Sequence, residues 1–327
     1  MKTPATILGT GWVTALGAGA TVYDRLRRGE IGHREPVQEG FQHDFWKFSP
    51  EPELYLEARK LPRLRRSSRI SHMAVTAALA AMQMAQVDPH AGLALVLAVS
   101  SGGVLYTRRF FQTIAENDAS HASPLLFPET VYNAPASHIA AALGIDGPAY
   151  TVTGDTAIGF SALALGETLL ASGEARQVLV VGAEECDPLL CEAYRTWGLV
   201  RTGESWPADG RGSLLGEGAA AVLLGEGGSV QLEARHQASP RRLAASHLQI
   251  SGANNTRIDR EEKKFELEVG MIWRPKWQWG ETLGAAALMQ TVAAAEAIKQ
   301  QAANSATATA VGWNQECGWA RLESSRP

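Results

Sequence analysis

Asp155 and Thr156 stand side by side before an alanine-rich run, a carboxylate next to a hydroxyl at the expected start of a helix. A threonine hydroxyl ionises far less readily than a thiol, so it attacks a thioester only with a strong base beside it. Asp155 is the nearest such base in sequence and would activate either Thr156 or a water. The same Gly154-Asp155-Thr156 stretch also reads as an ordinary helix N-cap, in which a short polar side chain accepts from otherwise unpaired amides. A second candidate is Cys186, which follows Gly182-Ala-Glu-Glu185. Two acids and no paired imidazole disfavour its thiolate, so a buried, inert thiol is the better reading. Trp273, Trp277 and Trp279, interleaved with Arg274 and Lys276, have the composition of a ligand site. A partner interface or a core is the stronger reading, because tryptophan is enriched at interfaces and highly buried on average.

The elements that must position these groups follow from hydrophobic periodicity. Apolar runs predict strands at Ala5–Leu8, Ala94–Val99, Ala149–Val152, Gln177–Val181, Ala219–Leu224, Leu248–Ile250 and Thr309–Val311. Amphipathic stretches between them predict helices over Val22–Arg28, Ser71–Ala85, Leu105–Glu116, Ala136–Leu143, Ala157–Ala171 and Leu283–Gln301, with Ser71 and Gly173 as capping signals. The alternation implies an α/β architecture with buried parallel strands. Arg34–Leu64, Thr202–Gly212 and Ser239–Arg242 carry proline, glycine and polar residues and read as surface connections. Gly9-Thr-Gly11 after the first strand suggests a dinucleotide loop, but the third glycine of that motif is replaced by Thr14.

Composition bounds the function classes. A chain of 327 residues, 45% hydrophobic, buries a large core as one domain or two fused halves. A net charge of -4 gives no global attraction to nucleic acid or anionic lipid, and leaves room for a local basic face. The run Met1–Leu8 is too short for a signal peptide, and no stretch reaches the roughly 18 apolar residues of a membrane span, so a cytoplasmic location is expected. Cys186, Cys191 and Cys317 lack metal-ligand spacing and are expected as free thiols, with no metal and no cofactor.

Five ordered segments carry a resemblance that covers nearly the whole chain. Gly147-Pro-Ala-Tyr-Thr-Val-Thr-Gly-Asp-Thr-Ala-Ile-Gly159, with Ser172-Gly-Glu-Ala-Arg-Gln-Val-Leu-Val-Val-Gly-Ala-Glu184, resembles the active-site segment of β-ketoacyl synthases of the thiolase superfamily. Ile7-Leu-Gly-Thr-Gly-Trp-Val-Thr-Ala-Leu-Gly17 with Arg27-Arg-Gly-Glu30 is similar to that family's opening strand and helix. Phe127-Pro-Glu-Thr-Val-Tyr-Asn-Ala-Pro-Ala-Ser137 resembles the segment that approaches the active site from the dimer interface. Leu215-Gly-Glu-Gly-Ala219 and Gly280-Glu-Thr-Leu-Gly-Ala-Ala286 resemble its Gly-Glu-Gly strand entry and late glycine-rich helix start.

The resemblance implies a thiolase-like α/β fold, two duplicated βαβ-rich halves in a layered αβαβα arrangement. An N-terminal half over 1–225 and a shortened C-terminal half over 226–327 would form one compact unit. It also locates what is missing. The family's cysteine falls on Thr156, its first histidine, in Ala253-Asn-Asn-Thr256, on Asn254, and its second, in Lys276-Trp-Gln-Trp-Gly-Glu281, on Glu281, with Lys276 retained. An ionised glutamate there repels a malonyl carboxylate and a developing oxyanion alike. The eight histidines fall outside the family's motifs, and His138 is expected to be structural. The terminal Gly312-Trp-Asn-Gln-Glu-Cys-Gly-Trp-Ala-Arg-Leu-Glu323 retains only part of a glycine-rich loop that helps build the oxyanion environment.

These replacements imply a noncatalytic, chain-length-factor-like subunit, resembling the small one of bacterial aryl polyene pathways. Its partners would be a catalytic ketosynthase, in a heterodimer, and acyl carrier protein. Phe127, Tyr132, Asn133 and Phe160 would lie at the interface and acyl tunnel. Two other functions compete. One is a weak thioester hydrolase or acyltransferase using Thr156 with Asp155 or Glu281. The other is a homodimeric scaffold that binds acidic carrier protein through a basic patch at Arg63–Arg69.

Overall fold

In the computed structural model the described residues are 4–37, 43–88, 92–206, 211–237, 246–267 and 270–325. The connection expected at Ser239–Arg242 lies outside them. Up to residue 225 the chain forms β1 (Thr6–Thr14), β2 (Gly17–Ala18), α1 (Thr21–Arg27), β3 (Arg34–Pro36), β4 (Trp46–Phe48), α2 (Leu56–Lys60), α3 (Arg69–Ala85) and β5 (Leu93–Val99). It continues with α4 (Val104–Glu116), α5 (Ala134–Leu143), β6 (Ala149–Thr153), α6 (Ile158–Ser172), β7 (Gln177–Glu184), α7 (Pro188–Thr196), β8 (Leu215–Gly216) and β9 (Gly218–Gly225). Beyond it come β10 (Val230–His236), β11 (Leu248–Ile250), α8 (Asp259–Glu262), β12 (Met271–Trp273), α9 (Lys276–Trp279), α10 (Ala286–Lys299), β13 (Ser305–Val311) and β14 (Cys317–Ser324).

The main sheet runs β12-β11-β13-β14-β10-β1-β9-β7-β5-β6. Taken outward from the β1–β10 junction, the two flanks, β1-β9-β7-β5-β6 and β10-β14-β13-β11-β12, repeat one order. Counted in chain order within each flank, both read first, fifth, fourth, second, third. The strands are not all parallel, as the apolar runs suggested. β5 pairs parallel with β6 and β7, and β11 with β12 and β13, whereas β1, β9, β10 and β14 make antiparallel ladders. A strand buried on both faces, such as Gly218–Gly225, has the same apolar run in either direction, so its composition cannot reveal polarity.

Helices α6 and α10 pack on each other between the two flanks, and α10 is buried along nearly its whole length. The helix pair approaches closely at Gly159, where a Cβ would meet Leu288 Cδ2 at 2.3 Å and Ala287 Cβ at 2.8 Å. Helix α3 covers the outer face of the first flank. Gly9 and Gly11 belong to that contact and not to a nucleotide loop, because a Cβ on either would meet the carbonyl oxygen of Ala81 or Ala77 at 2.1 Å. Over the second flank the outer layer thins to α8 and a 3-10 turn at Lys263–Phe265, whose Phe265 carbonyl accepts from Gln249 Nε2.

Local expectations were corrected in two places. Helix α3 starts at Arg69, with Ser68 and not Ser71 at the cap position, and the Ser68 hydroxyl donates to buried Glu185 instead of capping. Arg34–Leu64 is not all loop: β3, β4 and β8 form a three-stranded sheet, and Phe48 is fully buried with its ring edge-on to Trp206. Trp279 is likewise core, edge-on to Trp12, and Arg274 pairs with Glu266, so the tryptophan cluster is packing.

Candidate functional site

Three short elements deliver side chains to one buried point. The turn from β6 into α6 presents Thr156, the stretch after β11 presents Asn254, and α9 with the turn after it presents Lys276 and Glu281. Each is fixed locally. Asn254 and Asn255 donate their amides to the two oxygens of Asp259, and the Thr256 hydroxyl donates to Asn254 Oδ1 at 2.7 Å. Gly280 sits at φ +80° with its Cα against Phe48, where a Cβ would lie 2.7 Å from the ring, so no other residue fits the bend before Glu281. The backbone of Glu281 then bridges to Leu215, its N–H donating to Leu214 O and its carbonyl accepting from Gly216 N.

Glu281 is the hub. Its Oε1 accepts the Thr156 hydroxyl at 3.1 Å and the Leu283 amide at 2.9 Å. Its Oε2 accepts Asn254 Nδ2 at 2.6 Å and Lys276 Nζ at 2.7 Å. Thr156, Lys276 and Glu281 are completely buried and Asn254 is nearly so. Leu283 donates from φ +37°, a left-handed conformation that costs a side-chain-bearing residue energy and persists only when its surroundings impose it. Thr156, Asn254, Lys276 and Glu281, the four positions expected from the resemblance, thus form one closed polar network, with both carboxylate oxygens doubly satisfied.

Asp155 does not cap α6, which begins at Ile158 without a side-chain cap. Its Oδ1 accepts the Thr156 amide at 2.5 Å and its Oδ2 accepts the Asn314 amide at 2.8 Å. Burial raises the Asp155 carboxyl above the usual range against the pull of those amides. Above it opens a cleft of about 610 Å³ lined by Ser100, Tyr132, Asp155, Tyr194, Trp197 and Trp313. The Tyr194 and Trp313 rings meet edge to face at 4.5 Å, and Trp197 stands 61% exposed at the rim. Thr156 lies beneath this cleft and not on its wall.

The remaining expected residues separate. Tyr132 lines the cleft, Phe127 and Asn133 are exposed at the surface, and Phe160 is fully buried facing Gly318 of β14. His138 meets Glu129 at 2.7 Å, a structural contact. Cys186 is buried with its Sγ 3.5 Å from that of Cys191, and that contact together with burial raises its thiol well above the ordinary range. It closes the floor of a second cavity of about 560 Å³, lined by Arg59, Arg65, Arg69 and Arg108. Within Arg63–Arg69, Arg63, Arg65 and Arg66 are exposed, whereas Arg69 pairs with buried Glu217 at 2.8 Å.

Sequence reasoning missed Asp259, which pins both asparagine amides, and Asn314, which anchors Asp155 from the β13–β14 turn. Asp259 accepts backbone amides on its carboxylate, and Asn314 donates its own backbone amide, a role that leaves little mark on residue type. It also missed Glu184, whose carboxylate accepts the amides of Ser100, Ser101 and Gly284 and ties the cleft to the start of α10.

Solved structures of the same architecture include the ishigamide ketosynthase/chain length factor, with a TM-score of 0.79 and 19% identity over 98% of this chain and 99% of the other. A β-ketoacyl synthase from Burkholderia phymatum matches with a TM-score of 0.81 and 16% identity over 99% and 100%. A ketosynthase in complex with its chain length factor from Xenorhabdus doucetiae matches with 0.81 and 14% over the same shares. No curated protein sequence matches. Residues 11–228 match the family model of the β-ketoacyl synthase N-terminal domain, more than half of the chain, and with the thiolase-like fold this establishes that the protein belongs to the β-ketoacyl synthase family.

Proposed function

We propose that this protein is a noncatalytic chain-length-factor subunit, dividing near residue 225 into two ketosynthase-like halves, that pairs with an active β-ketoacyl synthase and shapes its acyl tunnel. The observation that carries this reading is the Glu281 hub. The position of the nucleophile is a fully buried hydroxyl donating to a carboxylate, and the positions of the two imidazoles are Asn254 and that same carboxylate. No thiol stands at position 156 to take an acyl group, and a carboxylate at 281 opposes an enolate or oxyanion. The surface supports the partner half of the reading. Among the described residues edge strand β6 pairs on one side only, with Tyr150 exposed, and Phe111, Phe127, Val131 and Tyr132 are large apolar groups in solvent. Some of the structural relatives are solved with a chain length factor or a carrier protein, which supports a ketosynthase and an acyl carrier protein as partners; a pathway of the aryl polyene kind is what the sequence resemblance adds.

One observation favours a second reading, weak thioester hydrolysis: the 3.1 Å contact between Thr156 and Glu281 has the distance of a nucleophile and its base. Against it, Lys276, Asn254 and the Leu283 amide already hold that carboxylate, and Thr156 has no exposed surface. Intact-protein mass spectrometry after incubation with an acyl-carrier-protein thioester separates the two. Acylation confined to a co-purifying ketosynthase supports the silent-subunit reading. An adduct on Thr156 or Cys186, or turnover by the isolated chain that Thr156→Ala abolishes, overturns it.

A further inference from the structure

Under the cleft, at Asp155, two backbone donors come together from distant parts of the chain. Thr156 N–H comes from the β6–α6 turn and Asn314 N–H from the β13–β14 turn, and both converge on the one carboxylate of Asp155, at 2.5 and 2.8 Å. The Asn314 turn is rigid on its own account. Gly312 N–H donates to Glu316 O, Gln315 N–H donates to Gly312 O, and Asn314 Oδ1 accepts from Glu316 N. The residue at 312 must be glycine for the carboxylate to fit, because a Cβ there would stand 2.7 Å from Asp155 Oδ2. Two fixed N–H groups that hold the two oxygens of one carboxyl group, Thr156 N–H on Oδ1 and Asn314 N–H on Oδ2, are the elements of a carboxylate site, whatever fills it.

We infer that the Thr156 and Asn314 amides form an anion-binding pair that the protein fills with its own Asp155 carboxylate, closing this wall of the cleft to the carboxylate or thioester oxygen of an incoming chain. Asp155 is then an internal plug. It neither attacks nor activates: it occupies the position where a carbonyl oxygen would otherwise be held. Its surroundings fit the role. Ser100, Gly154, Tyr194, Trp313 and Asn314 share the cleft with it, the Thr156 donor is fully buried, and the Asn314 donor stands at the exposed rim. The inference stands on the amide geometry and does not require a partner subunit, so it can fail while the proposed function stands, and the reverse.

The test reads the two amides directly in the full-length chain, with formate as the probe. In the unaltered protein, Thr156 and Asn314 N–H should exchange slowly with solvent and ignore formate. In Asp155→Ala both should exchange roughly tenfold to a hundredfold faster, the loss of a charged acceptor, and formate should restore protection to both along one saturable curve. Asp155→Asn retains a single acceptor oxygen and should release one of the two amides while holding the other, which keeps the test alive if the alanine variant unfolds. Unchanged protection in these variants overturns the plug. Faster exchange in Asp155→Ala that formate leaves unaltered at both amides overturns the anion site.

Discussion

Lys276 Nζ lies 2.7 Å from Glu281 Oε2 with neither side chain exposed to solvent. A fully buried ion pair gains little net stability over well-packed apolar residues, because desolvation offsets its Coulomb attraction, but removing one partner strands the other charge. The pair therefore holds the network of Thr156, Asn254, Lys276 and Glu281 in one arrangement.

Lys276→Met should destabilise the protein by about 3–5 kcal/mol, and Glu281→Gln by a comparable amount, since each leaves a buried charge or donor without its partner. The double variant should recover a large part of the loss, because neither charge remains. Urea unfolding of the four proteins in a double-mutant cycle measures the coupling. Single variants within a few tenths of the unaltered protein would show that the pair is solvated and that the hub is not closed.

A second expectation concerns pH. Burial pushes Glu184 up to about 8 against the amides of Ser100, Ser101 and Gly284, and Glu185 and Glu167 up to about 7. For an acid whose folded pKa is raised, the folded state holds more protons than the unfolded one between the two values. Stability from these groups is thus full below about 4.5 and is lost as pH rises through 7 and 8. His72, whose pKa burial lowers, works oppositely but only below about 6.5. Between pH 6.5 and 8.5 the urea midpoint should therefore fall steadily. A midpoint that is flat or rising across that window would mean these carboxyls titrate as exposed ones do.

Strand and helix positions were legible where burial is two-sided or periodicity strong. Leu93–Val99, Gln177–Glu184 and Gly218–Gly225 are buried almost throughout, so their composition alone marks them. Strands β10 and β14 were missed because one face is open: Val230, Leu232 and Ala234 face α6 while Glu233 and Arg235 are exposed, an alternation that looks polar to a search for apolar runs. Family spacing located Thr156, Asn254, Lys276 and Glu281, and the fold brings those four into contact. What spacing could not supply was the pairing of each hydrogen-bond donor. Asp155 looks like a cap in sequence, and its actual partner Asn314 lies 159 residues away.

The contact between the two central helices gives a packing prediction. Gly159→Ala would place a methyl group 2.3 Å from Leu288 Cδ2 and 2.8 Å from Ala287 Cβ, inside the α6–α10 contact. Overpacking of this kind costs about 1–3 kcal/mol. Because α10 starts just after Leu283, separating the helices should also loosen the Leu283 amide from Glu281. Gly159→Ala should thus lower the urea midpoint, and Leu288→Ala in the same background should restore part of it. A neutral Gly159→Ala would show that α6 shifts freely against α10.

The exposed apolar face yields the prediction that bears most directly on function. Phe111 is 60% exposed and Tyr150, on edge strand β6, is 40% exposed, so neither contributes much to the fold of the isolated chain. If a catalytic ketosynthase covers this face, both rings become buried anchors, and buried aromatic residues near the centre of an interface commonly contribute about 2 kcal/mol or more. Phe111→Glu and Tyr150→Glu should each weaken association by roughly thirtyfold or more, converted at 1.4 kcal/mol per tenfold, while the thermal midpoint of the chain alone stays put. The control is Phe160→Ala, a fully buried site between α6 and β14, which should lower the thermal midpoint without acting on the interface directly. Co-purification of the ketosynthase with the two glutamate variants at unaltered yield would place the partner, and any tunnel it shares, on some other face of the molecule.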